Sequence, residues 1–95
     1  MAAKTAAAKR HHGKVAALGC AICRLCGHGA TPALVHHIRD GQGASQRAHD
    51  FLVIPLCPEH HQGDTGIHGV GTREFEHRYK VTELDLLGET LELLA

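Results

Sequence analysis

Apolar residues gather in two short runs and one longer stripe. "TPALVHHI" (residues 31–38) and "FLVIPL" (residues 51–56) have the length and character of strands, and between them lies the polar, glycine-bearing loop "RDGQGASQRAHD". Pro32 suits the beginning of the first strand, and Pro55 interrupts the second near its end. After Cys57, "PEHHQGD" reads as a short helix with Pro58 in its first turn, ended by Gly63 and Gly66. Two helices follow, "REFEHRY" behind Thr72 as N-cap and "ELDLLGETLELLA" behind Thr82, where Asp85 completes a capping box. In the last helix Leu84, Leu87, Leu91 and Leu94 share a face, with Leu86 and Leu93 beside it. That stripe is expected to pack on the domain, a dimer contact being the alternative. Ahead of the strands, "CAICRLC" through Gly29 reads as a tight loop and "KVAALG" as a short helical turn. Residues 1–13 are Ala-rich without an apolar stripe, which predicts a weakly helical or poorly ordered arm. The order of elements is that of one α+β domain at residues 18–95, preceded by a basic arm at residues 1–17.

Composition changes this picture. Among 95 residues the only large aromatic side chains are Phe51, Phe75 and Tyr79, too few to dominate a small core, so a metal staple is expected. Ten histidines and four cysteines supply the donors. Three cysteines are clustered, which argues for metal rather than disulfides, and with no secretory or membrane-spanning segment visible a cytoplasmic location follows. Charge is lopsided: residues 1–39 carry Lys4, Lys9, Arg10, Lys14, Arg24 and Arg39 and no acid. Such a half is compatible with nucleic-acid phosphates, and equally with a solvated tail.

Cys20-x2-Cys23 and Cys57-x2-His60 are two knuckles that can close on one tetrahedral structural zinc. On spacing alone Cys23-x2-Cys26 serves as well for the first. Vicinal side chains diverge by about 100° on a helix, so His61 is released to a different site if His60 binds zinc. His36, His37 and His68 are available to join it. Three imidazoles and a base around an ion with open positions form a hydrolytic arrangement; the alternative is that His36 or His37 is hydrogen-bonded beneath the zinc loop.

The segments "LGCAICR", "PALVHHIRDGQG", "FLVIPLCPEHHQG", "GIHG" and "REFEHRYKVTELDLL" together resemble the Ref-type, RecA-dependent nucleases of phage and prophage origin, within the HNH or ββα-metal superfamily. The resemblance covers about residues 18–88. It implies a treble-clef-like ββα-metal fold, with His36, His61 and His68 on a catalytic divalent ion, His37 as general base, and Cys20 and Cys23 in the first knuckle. Asp50 lies near the position of the superfamily's middle Asn. Arg39 and Arg47 are candidates for added positive charge, and Lys4, Lys9, Arg10 and Lys14 for DNA contact. The implied reaction is nicking of DNA, with a RecA filament as implied partner. An all-imidazole shell suits Zn2+, Ni2+ or Mn2+ at least as well as Mg2+. A rival reading is a non-catalytic treble-clef zinc module that binds nucleic acid or protein; a metal-storage protein is a third.

Overall fold

The computed structural model describes residues 4–43 and 48–95. Arg47 lies outside them. A two-stranded antiparallel hairpin, β1 (Leu34–His37) and β2 (Val53–Leu56), forms the centre, in the register Leu34↔Leu56, Val35↔Pro55, His36↔Ile54 and His37↔Val53. Every residue of β2 is buried, as its unbroken apolar run requires. The chain passes from β2 through Cys57 directly into α3 (Pro58–Gln62), with proline in the first turn. The small α+β architecture expected from the pattern is therefore present.

The amino-terminal arm takes the helical one of its two expected forms, with a buried face that was not expected. It is a 12-residue helix, α1 (Ala6–Ala17), capped by the Thr5 hydroxyl, which accepts from the Ala8 N–H at 3.0 Å. Ala8, His12 and Val15, spaced four and three apart, form a narrow buried face that packs on both strands. The expectation of no inward face failed because that face is built from a small residue and a histidine, which hydropathy does not register.

The cysteine segment is likewise more regular than a loop. Cys20 caps α2 (Ala21–Leu25), its sulfur accepting from the Cys23 N–H at 3.4 Å. Arg24 reaches from α2 to the Leu18 and Gly19 carbonyls, 2.9 Å each, and to Glu89 at 2.9 Å. It thereby ties the end of α1 to the last helix.

After α3 come α4 (Ile67–Val70), α5 (Thr72–Tyr79) and α6 (Glu83–Leu94). Helix α4 occupies a stretch to which the sequence pattern assigned no element. A Cβ on Gly69 would overlap the Gly63 carbonyl oxygen, and one on Gly66 the Glu59 carbonyl oxygen, so glycines let α4 lie against α3. Thr72 is the first residue of α5 rather than its cap. Thr82 does cap α6, and the capping box with Asp85 is complete.

The leucine stripe of α6 is a second correction. Leu84 and Leu91 are 52% and 45% exposed, whereas Glu83, Leu86, Leu87 and Thr90 face inward. Glu83 sets this rotation, because its carboxylate has three partners in the interior (below). The core consists chiefly of Ile22, Ile54, Leu56, Ile67, Phe75 and Leu86 around the three buried cysteines Cys20, Cys23 and Cys57. No described helix is long and apolar enough to cross a membrane.

Candidate active site and metal centres

Two donor clusters flank α3. The first joins the α2 N-terminus to the β2–α3 junction and contains Cys20, Cys23, Cys57 and His60. The His60 Nδ1 lies 3.5, 3.6 and 3.2 Å from the sulfurs of Cys20, Cys23 and Cys57, and the Cys23 and Cys57 sulfurs are 3.8 Å apart. A tetrahedral ion with metal–sulfur bonds of about 2.3 Å places its sulfurs about 3.8 Å apart and a nitrogen slightly closer. The cluster could thus hold a metal ion with no open position. Of the two cysteines that spacing offered, Cys20 lies in the cluster and Cys26 is exposed and outside it. Burial pushes the Cys20 thiol up to about 11. Burial acts in the same direction on Cys57, but the main-chain N–H of His60, the Cys20 and Cys23 thiols and the Glu59 N–H outweigh it and leave that thiol below its ordinary value. Tyr79 of α5 closes the outer side with an edge contact to the His60 ring, centroids 5.5 Å apart.

The second cluster is made of His36 of β1, His61 of α3 and His68 of α4. Ring centroids are 5.3 Å apart for His36 and His61, 5.1 Å for His36 and His68, and 4.7 Å for His61 and His68. Burial, with His36 and His68 adjacent, pushes His61 down to about 4; burial and the neighbouring His36 and Arg39 also lower His68. Unprotonated imidazoles keep the lone pairs that a metal needs. The His61 Nδ1 is buried without a hydrogen-bond partner among the described residues, an omission that an ion would explain. His68 is exposed, so this cluster opens to solvent where the cysteine cluster is closed.

Glu83, which sequence reasoning missed, orients the second cluster. Its side chain is fully buried and its Oε2 lies 2.7 Å from His36 Nε2. Its Oε1 accepts from the main-chain N–H of Arg39 at 2.6 Å and of Asp40 at 2.9 Å. Burial alone would raise this carboxyl, but the His36 bond and the two amides outweigh it and hold it below the ordinary range. A carboxylate can only accept, so His36 carries its proton on Nε2 and turns Nδ1 to the cluster. In the sequence Glu83 looks like any first-turn helix acid, and nothing there marks it as buried.

His37 follows His36 on the strand and, as the pleat requires, has different neighbours. Its Nε2 lies 3.0 Å from Asp50 Oδ1 and its ring stands edge-on to His12, centroids 5.5 Å apart. By the same logic Asp50 places a proton on Nε2 of His37. Both histidines nevertheless line one cavity of about 210 Å3, with Val35, Arg39, His61 and His68. The structure therefore brings together His36, His37, His61, His68 and Arg39, with Asp50 behind His37. Lys4, Lys9, Arg10 and Lys14 are exposed on or beside α1 and are not part of the cavity.

The model of the family described as "Recombination enhancement, RecA-dependent nuclease" matches residues 4–95. No curated protein matches the chain.

Proposed function

The chain belongs to the RecA-dependent nuclease family, and from that premise we propose that it is an HNH-type, ββα-metal endonuclease that nicks DNA by hydrolysing phosphodiester bonds. The observation that carries this reading is the division of adjacent histidines on α3: His60 in a closed Cys3His cluster, His61 in an open three-imidazole cluster beside His37. In this reading Cys20, Cys23, Cys57 and His60 hold a structural Zn2+, as thiolate-rich closed sets do. His36, His61 and His68 hold the working divalent ion. That ion would supply positive charge to a phosphoryl oxygen and to the departing 3′ oxygen.

The chain's own groups do the rest. Asp50 keeps the His37 proton on Nε2, so Nδ1 accepts the proton of the attacking water as the oxygen moves onto phosphorus. Glu83 presents His36 Nδ1 to the ion. Arg39, at the cavity wall, offers its positive charge to the phosphate. The exposed Lys4, Lys9, Arg10 and Lys14 attract the DNA backbone, a contribution without sequence preference. A RecA-coated strand is the partner that the family name suggests.

A His37→Ala protein tests the assignment. It should retain both ions and bind DNA while failing to nick a supercoiled plasmid. Nicking at the wild-type rate would remove His37 as base, and absence of nicking by the metal-loaded wild-type protein with RecA present would favour the non-catalytic zinc module.

A further inference from the structure

His12 stands outside the machinery just described, yet it is the residue through which α1 meets the base. It is 7% exposed on a helix whose neighbouring Lys9, Arg10, Gly13 and Lys14 are all exposed. Its Nε2 lies 2.6 Å from the main-chain oxygen of Asp50, and its Nδ1 lies 3.3 Å from Lys4 Nζ. A carbonyl oxygen can only accept and an ammonium can only donate. The two contacts therefore agree on one tautomer: Nε2–H donates to Asp50 and Nδ1 accepts from Lys4.

Asp50 sits in a turn three residues before β2, outside the paired strands. Holding its carbonyl fixes the peptide plane from which the carboxylate reaches His37 Nε2. The edge contact of the His12 ring on His37 limits the swing of the base from the other side. We propose that His12 is a positioning residue for the hydrolysis: by latching α1 onto the Asp50 carbonyl it orients the Asp50 carboxylate and so fixes the tautomer and aim of His37. The inference rests on the nuclease reading for its consequence, while the latch itself is a property of the fold.

Three substitutions in the full, metal-loaded chain test it. His12→Gln keeps an amide N–H near the place of Nε2. His12→Asn keeps a polar side chain of similar burial but stops short of the Asp50 carbonyl, and His12→Leu removes the donor. Ring nitrogen shifts from long-range 1H–15N correlation spectra report the His37 tautomer without any turnover. Wild type and His12→Gln should show one His37 tautomer, with the proton on Nε2; His12→Asn and His12→Leu should show a mixture. Plasmid nicking should follow, with kcat falling by about tenfold or more in the Asn and Leu proteins, KM unchanged, and most of the loss recovered in the Gln protein.

A single unchanged His37 tautomer in the Asn protein overturns the proposal, as does a loss of kcat that Gln does not recover. Metal content also decides, because His12, His37 and Asp50 have donor atoms within 4.8 Å of one another. If the Asn protein binds one ion fewer than wild type, His12 is a ligand and not a latch. If wild type itself does not nick, the nuclease reading falls, and the tautomer comparison still decides whether His12 sets the Asp50–His37 pair.

Discussion

Replacing Glu83 by Gln changes one atom in a group that holds three others. The best accommodation keeps the amide oxygen on the Arg39 and Asp40 N–H groups, which then turns the new NH2 toward His36 Nε2, now 2.7 Å from the carboxylate. Two donors cannot face each other. His36 must move its proton to Nδ1, the atom that the open cluster requires unprotonated, or rotate away. A hydrogen bond to a charged group contributes about 1.5–3 kcal/mol, and with the side chain at 0% exposure solvent offers no substitute. The metal-free Gln variant should therefore lose about 2 kcal/mol, which for a domain of this size lowers Tm by roughly 8–16 °C. Affinity for an ion at His36, His61 and His68 should fall by about 10- to 100-fold, the usual effect of removing a carboxylate behind a metal-binding histidine. Thermal unfolding of the metal-free protein measures the first quantity and a competition titration against a chelating dye the second. A Gln variant with unaltered Tm and unaltered metal affinity would refute the chain of contacts from α6 through Glu83 to His36.

Three further outcomes follow from the same geometry. Cys57→Ala should bind one zinc equivalent fewer and unfold at lower temperature, whereas Cys26→Ser, at an exposed position, should change neither; equal losses in elemental analysis and circular dichroism would contradict the ligand set. Gly69→Ala forces its new methyl against the Gly63 carbonyl, an overpacking cost of about 1–3 kcal/mol, and by displacing His68 it should weaken the three-histidine site while leaving the cysteine site loaded. In the metal-stripped protein His61 takes up a proton only near 4, below the ordinary 6.5, chiefly through burial. Between those values the unfolded chain binds the proton more readily, so the stability present above 6.5 is lost as pH falls toward 4. Urea midpoints should decline across that window, and less steeply in His61→Leu; parallel slopes would count against burial of His61.

The two strands, the Pro58 helix and the Thr82 cap were legible in the sequence because each depends on neighbours within a few residues. The separate destinations of His60 and His61 were legible for a related reason: helix geometry alone prevents both from converging easily on one ion. The stripe Leu84, Leu87, Leu91 and Leu94 misled, since rotation of α6 is decided by Glu83, and its partners lie more than 40 residues away on the chain. Hydropathy would place that carboxylate in water; only the assembled fold supplies an imidazole and two amides to receive it. His12 was hidden differently. Its Ala8 and Val15 neighbours make a stripe too thin to register, and the carbonyl it meets belongs to the turn before β2. Cys20 and Cys26 were indistinguishable by spacing, and what separates them is that Cys20 is buried at the N-cap of a short helix while Cys26 is exposed at its C-cap.

One peptide unit, about 3.8 Å between α-carbons, is all that separates the thiolate-rich cage from the open triad along α3. In the proposed nuclease, loss of an ion from the cysteine cluster would therefore be felt at the three histidines through a single helix of five residues, so that the same event that unpins the scaffold would also disarm it.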